Sequence, residues 1–245
     1  MYSSRLTHGP VELAFTDRHG GVSRAPFDSL NLAWAGDDPE ALAENHRRLS
    51  ADFAPDDPVA VLSQVHGKDV AYVGPEGPRS DLHGHLHATA DGVVTDQPGM
   101  TLMVRGADCA MVLFADASAG VIGGCHCGRP GLVAGVVPAT IDKMRELGAG
   151  DITAWLGPHV CGRCYEVPEQ MREDVAAVVP ASRATTSWGT PSVDLGAGIR
   201  AQLCAAGVEC VDLSRCTLES PDLYSYRRDH LESGRQAGVI RMAPR

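Results

Sequence analysis

Apolar residues run through this chain in short blocks separated by Gly, Pro and Asp, which predicts many brief strands and a few helices. Val11 to Thr16 predicts a first strand, closed by a Gly-rich turn at His19-Gly20-Gly21. A helix is predicted from about Pro39 to Leu49, where Pro39 suits a first helical position. Val59 to Val65 predicts a strand that delivers His66 to its C-terminal end, with Gly67 permitting a sharp turn. The stretch from Gly74 to Thr89, rich in Gly, Pro and His, predicts a surface loop. Strand-like pieces follow at Gly92 to Thr95, Thr101 to Val104, Met111 to Phe114 and Gly120 to Gly124. Val133, Val137, Ile141 and Met144 recur at helical spacing up to Gly148, and Pro138 inside that run requires a kink or a restart. Beyond it the pattern predicts a strand from Ile152 to Leu156, helices over Pro168 to Val178 and Asp194 to Ala206, and a strand from Val208 to Leu213. Asp194 is a fair N-cap for the second of those helices. The stretch from Leu223 to Met242 predicts a polar turn between two strand-like runs. Strands and helices are mixed throughout, and no repeat or linker divides the chain. The expected fold is α+β (mixed α/β), one domain over residues 1–245, with a mixed sheet.

Charge narrows the function. Lys plus Arg number 21 against 31 Asp plus Glu, a net charge of −10. Phosphate backbones and anionic membranes are held by basic surfaces, so a general nucleic-acid or membrane-surface binder is excluded. A small anionic substrate is still compatible if a few Arg side chains focus positive potential locally. The first fifteen residues contain no apolar run of a signal peptide, and no stretch approaches spanning length. The eight Cys are therefore expected as thiols or metal ligands in a reducing cytoplasm, in preference to a disulfide framework.

The most concentrated chemistry lies between Leu102 and Gly131, where Cys109 and His126 fall at predicted strand ends, with His66 at another upstream. Two imidazoles, one thiolate and one open position make the arrangement of a catalytic zinc. Spacing alone leaves the bland reading open, in which each residue is separately structural. Gly128 and Gly131, ahead of a helix, permit close backbone approach to an anion, but their spacing matches neither phosphate-loop fingerprint.

Five blocks, QVHGKDV, ADGVVTDQPGMTLMVRGADCAMVLFAD, VIGGCHCGRPGLVAGVV, WLGPHVCGRCYEV and LYSYRRDHLESGR, resemble in order and spacing those of the laccase-domain family. SLNLAWAGDDPEALAENHRRL is similar to its N-terminal block. Members have been called polyphenol oxidases, peptidoglycan-editing factors and purine nucleoside phosphorylases. The resemblance implies a layered α/β/β/α sandwich of mixed sheets, with His66, Cys109 and His126 on the family's metal-ligand positions for one zinc ion, in preference to copper. It implies phosphorolysis of adenosine, inosine or guanosine, with some adenosine deamination and methylthioadenosine cleavage, so that the three ligands would also be the catalytic residues. The expected partners are a purine nucleoside and phosphate, with neither nucleic acid nor membrane, for a monomer or homodimer. Asn31 falls in the family's SLN motif, which places it near substrate.

Two departures touch anion handling. The family's Trp-Arg pair reads Arg129-Pro130 here, and its Asn-Arg pair reads Asn45-His46, with Arg47 following. His46, Arg47 and Arg129 are thus the candidates for phosphate or substrate. The rivals are a cysteine hydrolase or peptidoglycan-precursor editing factor with Cys109 as nucleophile and His126 as base, a copper phenol oxidase, which needs several copper ions and many His ligands, and a non-enzymatic partner-binding protein that keeps the zinc. His83, His85 and His87 superficially resemble a copper-binding His-x-His run, but are expected in a solvated loop. Cys161-Gly-Arg-Cys164 has the spacing of half a structural zinc site. No second Cys pair of that spacing follows, so these thiols are expected reduced and mostly buried.

Overall fold

The computed structural model describes residues 1–74 and 86–243. Two six-stranded mixed sheets stack face to face. The first contains, in spatial order, β1 (Tyr2–His8), β2 (Val11–Thr16), β14 (Gln236–Met242), β7 (Thr101–Gly106), β3 (Val59–Ser63) and β5 (Leu86–Thr89). The second contains β13 (Glu209–Asp212), β10 (Thr153–Leu156), β8 (Ala110–Asp116), β9 (Val121–Cys127), β6 (Gly92–Thr95) and β4 (Val70–Tyr72). The short strands β11 (Arg183–Thr185) and β12 (Pro191–Val193) pair separately.

Side-chain alternation explains the layering. Along β8, Met111, Leu113 and Ala115 enter the core between the sheets, beside Leu13, Phe15, Leu102, Val104 and Ile240 of the first sheet. Their neighbours Ala110, Val112 and Phe114 face the other way, onto α3 (Val136–Glu146) and α5 (Leu195–Ala205) through Ile141, Met144 and Ile199. On the far side of the first sheet, Leu49 and Phe53 of α1 (Pro39–Phe53) pack on Val61, Met103 and Val239. The order is therefore helix, sheet, sheet, helix, as the family resemblance implied, and the central strands β7, β8 and β9 are buried on both faces. Each fully buried Leu or Phe contributes about 1.5–3 kcal/mol.

Most predicted elements form within a few residues of their expected limits. The Asp38 carboxylate caps α1 and that of Asp194 caps α5. The Pro138 restart is real: α2 (Arg129–Ala134) ends at Gly135, in the left-handed conformation, and α3 begins there. Three expectations need correction. Thr7 and Arg5, charged or polar neighbours in a strand exposed at a sheet edge, hid β1 from any apolar count. The end of the presumed 74–89 loop is β5, which gains its hydrogen bonds from β3. The first of the two strand runs near the C-terminus is instead a turn leading into the short helix α6 (Tyr226–Asp229), capped by Ser225. Among the described residues, no helix is long and apolar enough to cross a membrane.

Candidate metal and anion site

Topology brings the three predicted ligands to one end of the sandwich. The parallel strands β3 and β7 end together, and the chain leaves each of them to cross into the second sheet. His66 lies on the first crossing, before β4, and Cys109 on the second, immediately before β8. Because β9 runs antiparallel to β8, its C-terminal end, with His126 opposite Met111, returns to the same place. The nitrogen, sulfur and nitrogen donors all lie within 4.8 Å of one another, with Cys109 Sγ 3.8 Å from His66 Nε2. Cys125 and Cys127 face the helical layer instead, as strand alternation demands.

The residue that organises the site is Asp91, which the sequence reading missed. Its fully buried carboxylate accepts from three successive backbone N–H groups, those of Val65 (3.1 Å), His66 (3.0 Å) and Gly67 (2.6 Å). It also lies 2.9 Å from His126 Nδ1. A carboxylate only accepts, so Nδ1 carries the proton and Nε2 keeps its lone pair free for a metal. Burial opposes ionisation of Asp91, but the hydrogen bonds from His126 and Gly67 outweigh it and hold the carboxyl below its usual range. Burial pushes His126 down in turn, so its imidazole is neutral. Neutral imidazole is the form that ligates a metal. His66 adopts a left-handed backbone (φ 62°), held there by the Asp91 hydrogen bonds.

Gly128 completes the cradle. A Cβ at this position would stand 2.7 Å from Cys109 Sγ and 2.9 Å from the His66 ring, so any side chain would displace the donors. Two imidazoles and one thiol, with the second nitrogen of one imidazole anchored by a carboxylate, are a donor set that fits zinc. Burial, with Asp108 beside it, pushes the uncoordinated Cys109 thiol up to about 12. That environment is opposite to the one that activates a free nucleophilic cysteine.

His66, Cys109 and His126 line a cleft of about 980 Å³, in the upper part of the usual range for small-molecule sites. Among the described residues four Arg line it, at 105, 129, 227 and 235, against the single carboxylate of Asp108. Asp108 is itself occupied by Thr217 Oγ1 (2.6 Å) and the Arg227 backbone N–H. A chain of net charge −10 thus presents a locally positive pocket. Arg105, on β7, is buried beneath Trp34, whose ring centroid is 4.0 Å from the guanidinium. It donates to the carbonyls of Leu62 (2.6 Å) and Leu32 (3.3 Å), while its Nε–H has no hydrogen-bond partner. Burial, with Arg235 nearby, lowers it to about 9, which leaves it cationic at neutral pH. Arg235 is lowered by burial and donates to the Ser233 and Gly234 carbonyls, both at 2.8 Å. Arg227 stacks over Tyr165, its guanidinium 5.0 Å from the ring centroid. Arg105, on β7, and Arg235, just before β14, lie within blocks that carry the family resemblance, but the local pattern does not single them out as cleft residues.

Of the residues expected to bind substrate, Asn31 and Arg129 line the cleft, but His46 and Arg47 do not. Asn31 Oδ1 accepts from the N–H groups of Ala33 (3.1 Å) and Arg235 (3.0 Å), and thereby ties two walls together. His46 is buried in α1, its ring stacked on Trp34 at 6.0 Å. Arg47 points outward from the same helix and pairs with Glu44 at 2.7 Å. One helical step separates them, which is why they cannot share a face. Asn45, beside them, instead fastens the 22–31 segment through Val22, Ser23 and Asn31. His83 and His85 lie outside the described residues. His87 is in β5, its Nε2 2.6 Å from Ser63 Oγ.

A sequence profile of the family described as multi-copper polyphenol oxidoreductase laccase matches residues 12–243. A purine nucleoside phosphorylase of Streptomyces griseus is 51% identical over 238 residues, covering 95% of this chain and 94% of the relative. One of Escherichia coli is 38% identical and covers 94% and 93%. A crystal structure of a Neisseria meningitidis protein superposes with a TM-score of 0.85 at 29% identity, covering 100% of this chain and 99% of that one. A Geobacillus stearothermophilus protein superposes at 0.84 and 30% identity, covering 96% and 93%. The chain belongs to the laccase-domain family, the group whose profile bears the multicopper name while its curated relatives are named as purine nucleoside phosphorylases.

Proposed function

We propose that this protein is a zinc-dependent purine nucleoside phosphorylase acting on adenosine, inosine or guanosine, with methylthioadenosine cleavage and adenosine deamination as accompanying activities. The observation that carries the reading is a soft-donor triad, His66, Cys109 and His126, lining one cleft with Arg105, Arg129, Arg227 and Arg235. The relatives' names support it independently.

In phosphorolysis a phosphate oxygen bonds to C1′ of the ribose as the C1′–N9 bond breaks, and the bonding pair leaves with the purine. The ribose gains positive character on the way, so catalysis consists of holding the phosphate in line and stabilising charge. Arg105 suits the phosphate: it is buried, cationic, anchored by two carbonyls and has a free N–H. Arg129 and Arg235, on the same cleft, would share the charge. His66, Cys109 and His126 would hold the zinc, which when bound supplies Lewis-acid polarisation of a phosphate, ribose or water oxygen. Asp91 keeps the His126 proton on Nδ1. Eight free thiols suit a reducing cytoplasm.

The cysteine-hydrolase alternative requires a free Cys109 thiolate, which its surroundings oppose. A multicopper centre needs several ions with mostly imidazole ligands. Among the described residues the two groups able to hold a metal contain only two imidazoles, both in one triad. The test is incubation with each nucleoside plus phosphate, following free base and ribose 1-phosphate, with Ala at His66, Cys109 and His126. Formation of both products only by the unsubstituted, zinc-loaded protein is expected. Full zinc loading with no turnover of any nucleoside would sink the reading.

A further inference from the structure

A second set of soft donors lies outside the cleft. The parallel strands β10 and β13 end side by side, Leu156 opposite Asp212. The segments that follow them stay together, bridged between His159 and Cys216. Each then makes a turn that presents two donors three residues apart: Cys161 and Cys164 on one, Cys216 and Glu219 on the other. The thiol and carboxylate atoms of all four lie within 4.8 Å of one another. A search for two Cys pairs overlooks this arrangement, because the second turn uses Glu in the final position. Cys164 is buried, Cys161 and Cys216 are half-buried, and all three are free thiols.

The backbone already treats Cys216 as a ligand turn would. Its Sγ accepts the Cys161 N–H at 3.5 Å, a bond from one turn to the sulfur of the other. The first turn is closed by the Cys164 and Tyr165 N–H groups on the Cys161 carbonyl, both at 2.9 Å. Arg163 Nη2 lies 3.6 Å from Glu219 Oε2, so a cation nearby supplies part of the charge balance that three thiolates and a carboxylate need.

We propose that Cys161, Cys164, Cys216 and Glu219 form a structural site for a thiophilic divalent cation of the zinc class. Four protein donors close the coordination shell, so the ion has no open position for substrate. Its consequence is mechanical. The first segment carries Val160 and Tyr165 into the cleft wall. The second carries Thr217, whose hydroxyl holds Asp108, the residue preceding Cys109. Arg228 Nη1 donates to the Thr217 carbonyl at 3.2 Å and links the second turn to α6, where Arg227 stacks on Tyr165. A metal joining the turns would clamp two walls of the cleft without touching its contents.

The test separates this ion from that of the cleft. Full-length protein is produced with added zinc, purified in reducing buffer and assayed for metal. Three forms are compared: wild type, His66→Ala/His126→Ala, and Cys161→Ser/Cys164→Ser. The His double variant is expected to retain one zinc per chain, and its removal by a chelator to lower the melting temperature of that variant. The Cys double variant is expected to carry one zinc fewer than wild type. Cobalt-loaded wild type gives a reading that needs no variant: thiolate-to-cobalt absorption should correspond to four thiolates, three here and Cys109. A cobalt spectrum of one thiolate would overturn the proposal, as would a metal-free His double variant that folds. So would a disulfide among these Cys in freshly reduced, zinc-loaded protein. None of these outcomes depends on nucleoside turnover, so the proposed activity and this site stand or fall separately.

Discussion

Replacing Asp91 by Asn keeps the side chain's shape and removes its charge, and the consequences are computable from its four contacts. Val65 and Gly67 donate to one carboxylate oxygen, while the His66 N–H and His126 Nδ1 face the other. Whichever way the Asn amide is turned, its NH2 group meets two groups that now donate. With the amide turned to Val65 and Gly67, two charge-assisted hydrogen bonds are lost at about 1.5–3 kcal/mol each, or about 3–6 kcal/mol in total. With an m-value of about 3 kcal/mol/M, the urea midpoint falls by roughly 1–2 M. If the amide faces His126, Nδ1 must become the acceptor and the proton moves to Nε2, the nitrogen that should bind metal. Zinc affinity is then expected to fall about 10- to 100-fold. Urea unfolding of the metal-free protein and competition against a chromogenic chelator measure the two effects. An Asp91→Asn protein with wild-type zinc affinity and midpoint would mean that the Asp91 carboxylate organises neither the 65–67 turn nor His126.

Gly128→Ala should weaken zinc binding about tenfold or more, because its Cβ would stand 2.7 Å from Cys109 Sγ; the same chelator competition checks it. Arg105→Lys should raise KM for phosphate roughly tenfold while changing KM for the nucleoside little, since Lys cannot reproduce the fork that meets two carbonyls and an anion; initial rates decide. Burial opposes ionisation of Asp116, but N–H groups of Ala119, Gly150 and Asp151 and the Ser118 hydroxyl outweigh it and hold the carboxyl well below its usual range. A depressed folded-state value means the stabilisation is complete above the unfolded value of about 3.9 and is lost as pH falls below it. Asp116→Asn should therefore cost about 2–4 kcal/mol near pH 7, a difference that shrinks below about pH 4 in urea titrations at each pH. Arg47→Ala should leave zinc content, KM for phosphate and melting temperature unchanged, because Arg47 points outward from α1 and pairs with Glu44 at the surface.

What the sequence disclosed follows from how local each signal is. The Pro138 restart, the Asp194 cap and the strand alternation that turns Cys125 and Cys127 away from His126 rest on neighbours within four residues, and all of them hold. The clustering of His66, Cys109 and His126 was legible only through family resemblance, because these residues are 43 and 17 positions apart and meet only through two crossings between sheets. Asp91, Arg105 and Arg235 were illegible for the same reason. A buried carboxylate that collects three N–H groups, or a guanidinium under a Trp ring, is defined by partners remote in sequence. Arg47 shows the opposite error: adjacency to a motif suggested proximity to the cleft, whereas one step along a helix reversed its direction. Cys216 and Glu219 escaped because turn spacing was sought in Cys alone.

The most direct measurement is a crystal of the zinc-loaded protein with anomalous scattering recorded on both sides of the zinc absorption edge. A zinc peak is expected bonded to Nε2 of His126, Nε2 of His66 and Sγ of Cys109, at about 2.0–2.1 Å from the nitrogens and about 2.3 Å from the sulfur. Zinc absent from this triad in fully loaded crystals, or bound there without Cys109, would contradict zinc ligation by these three residues.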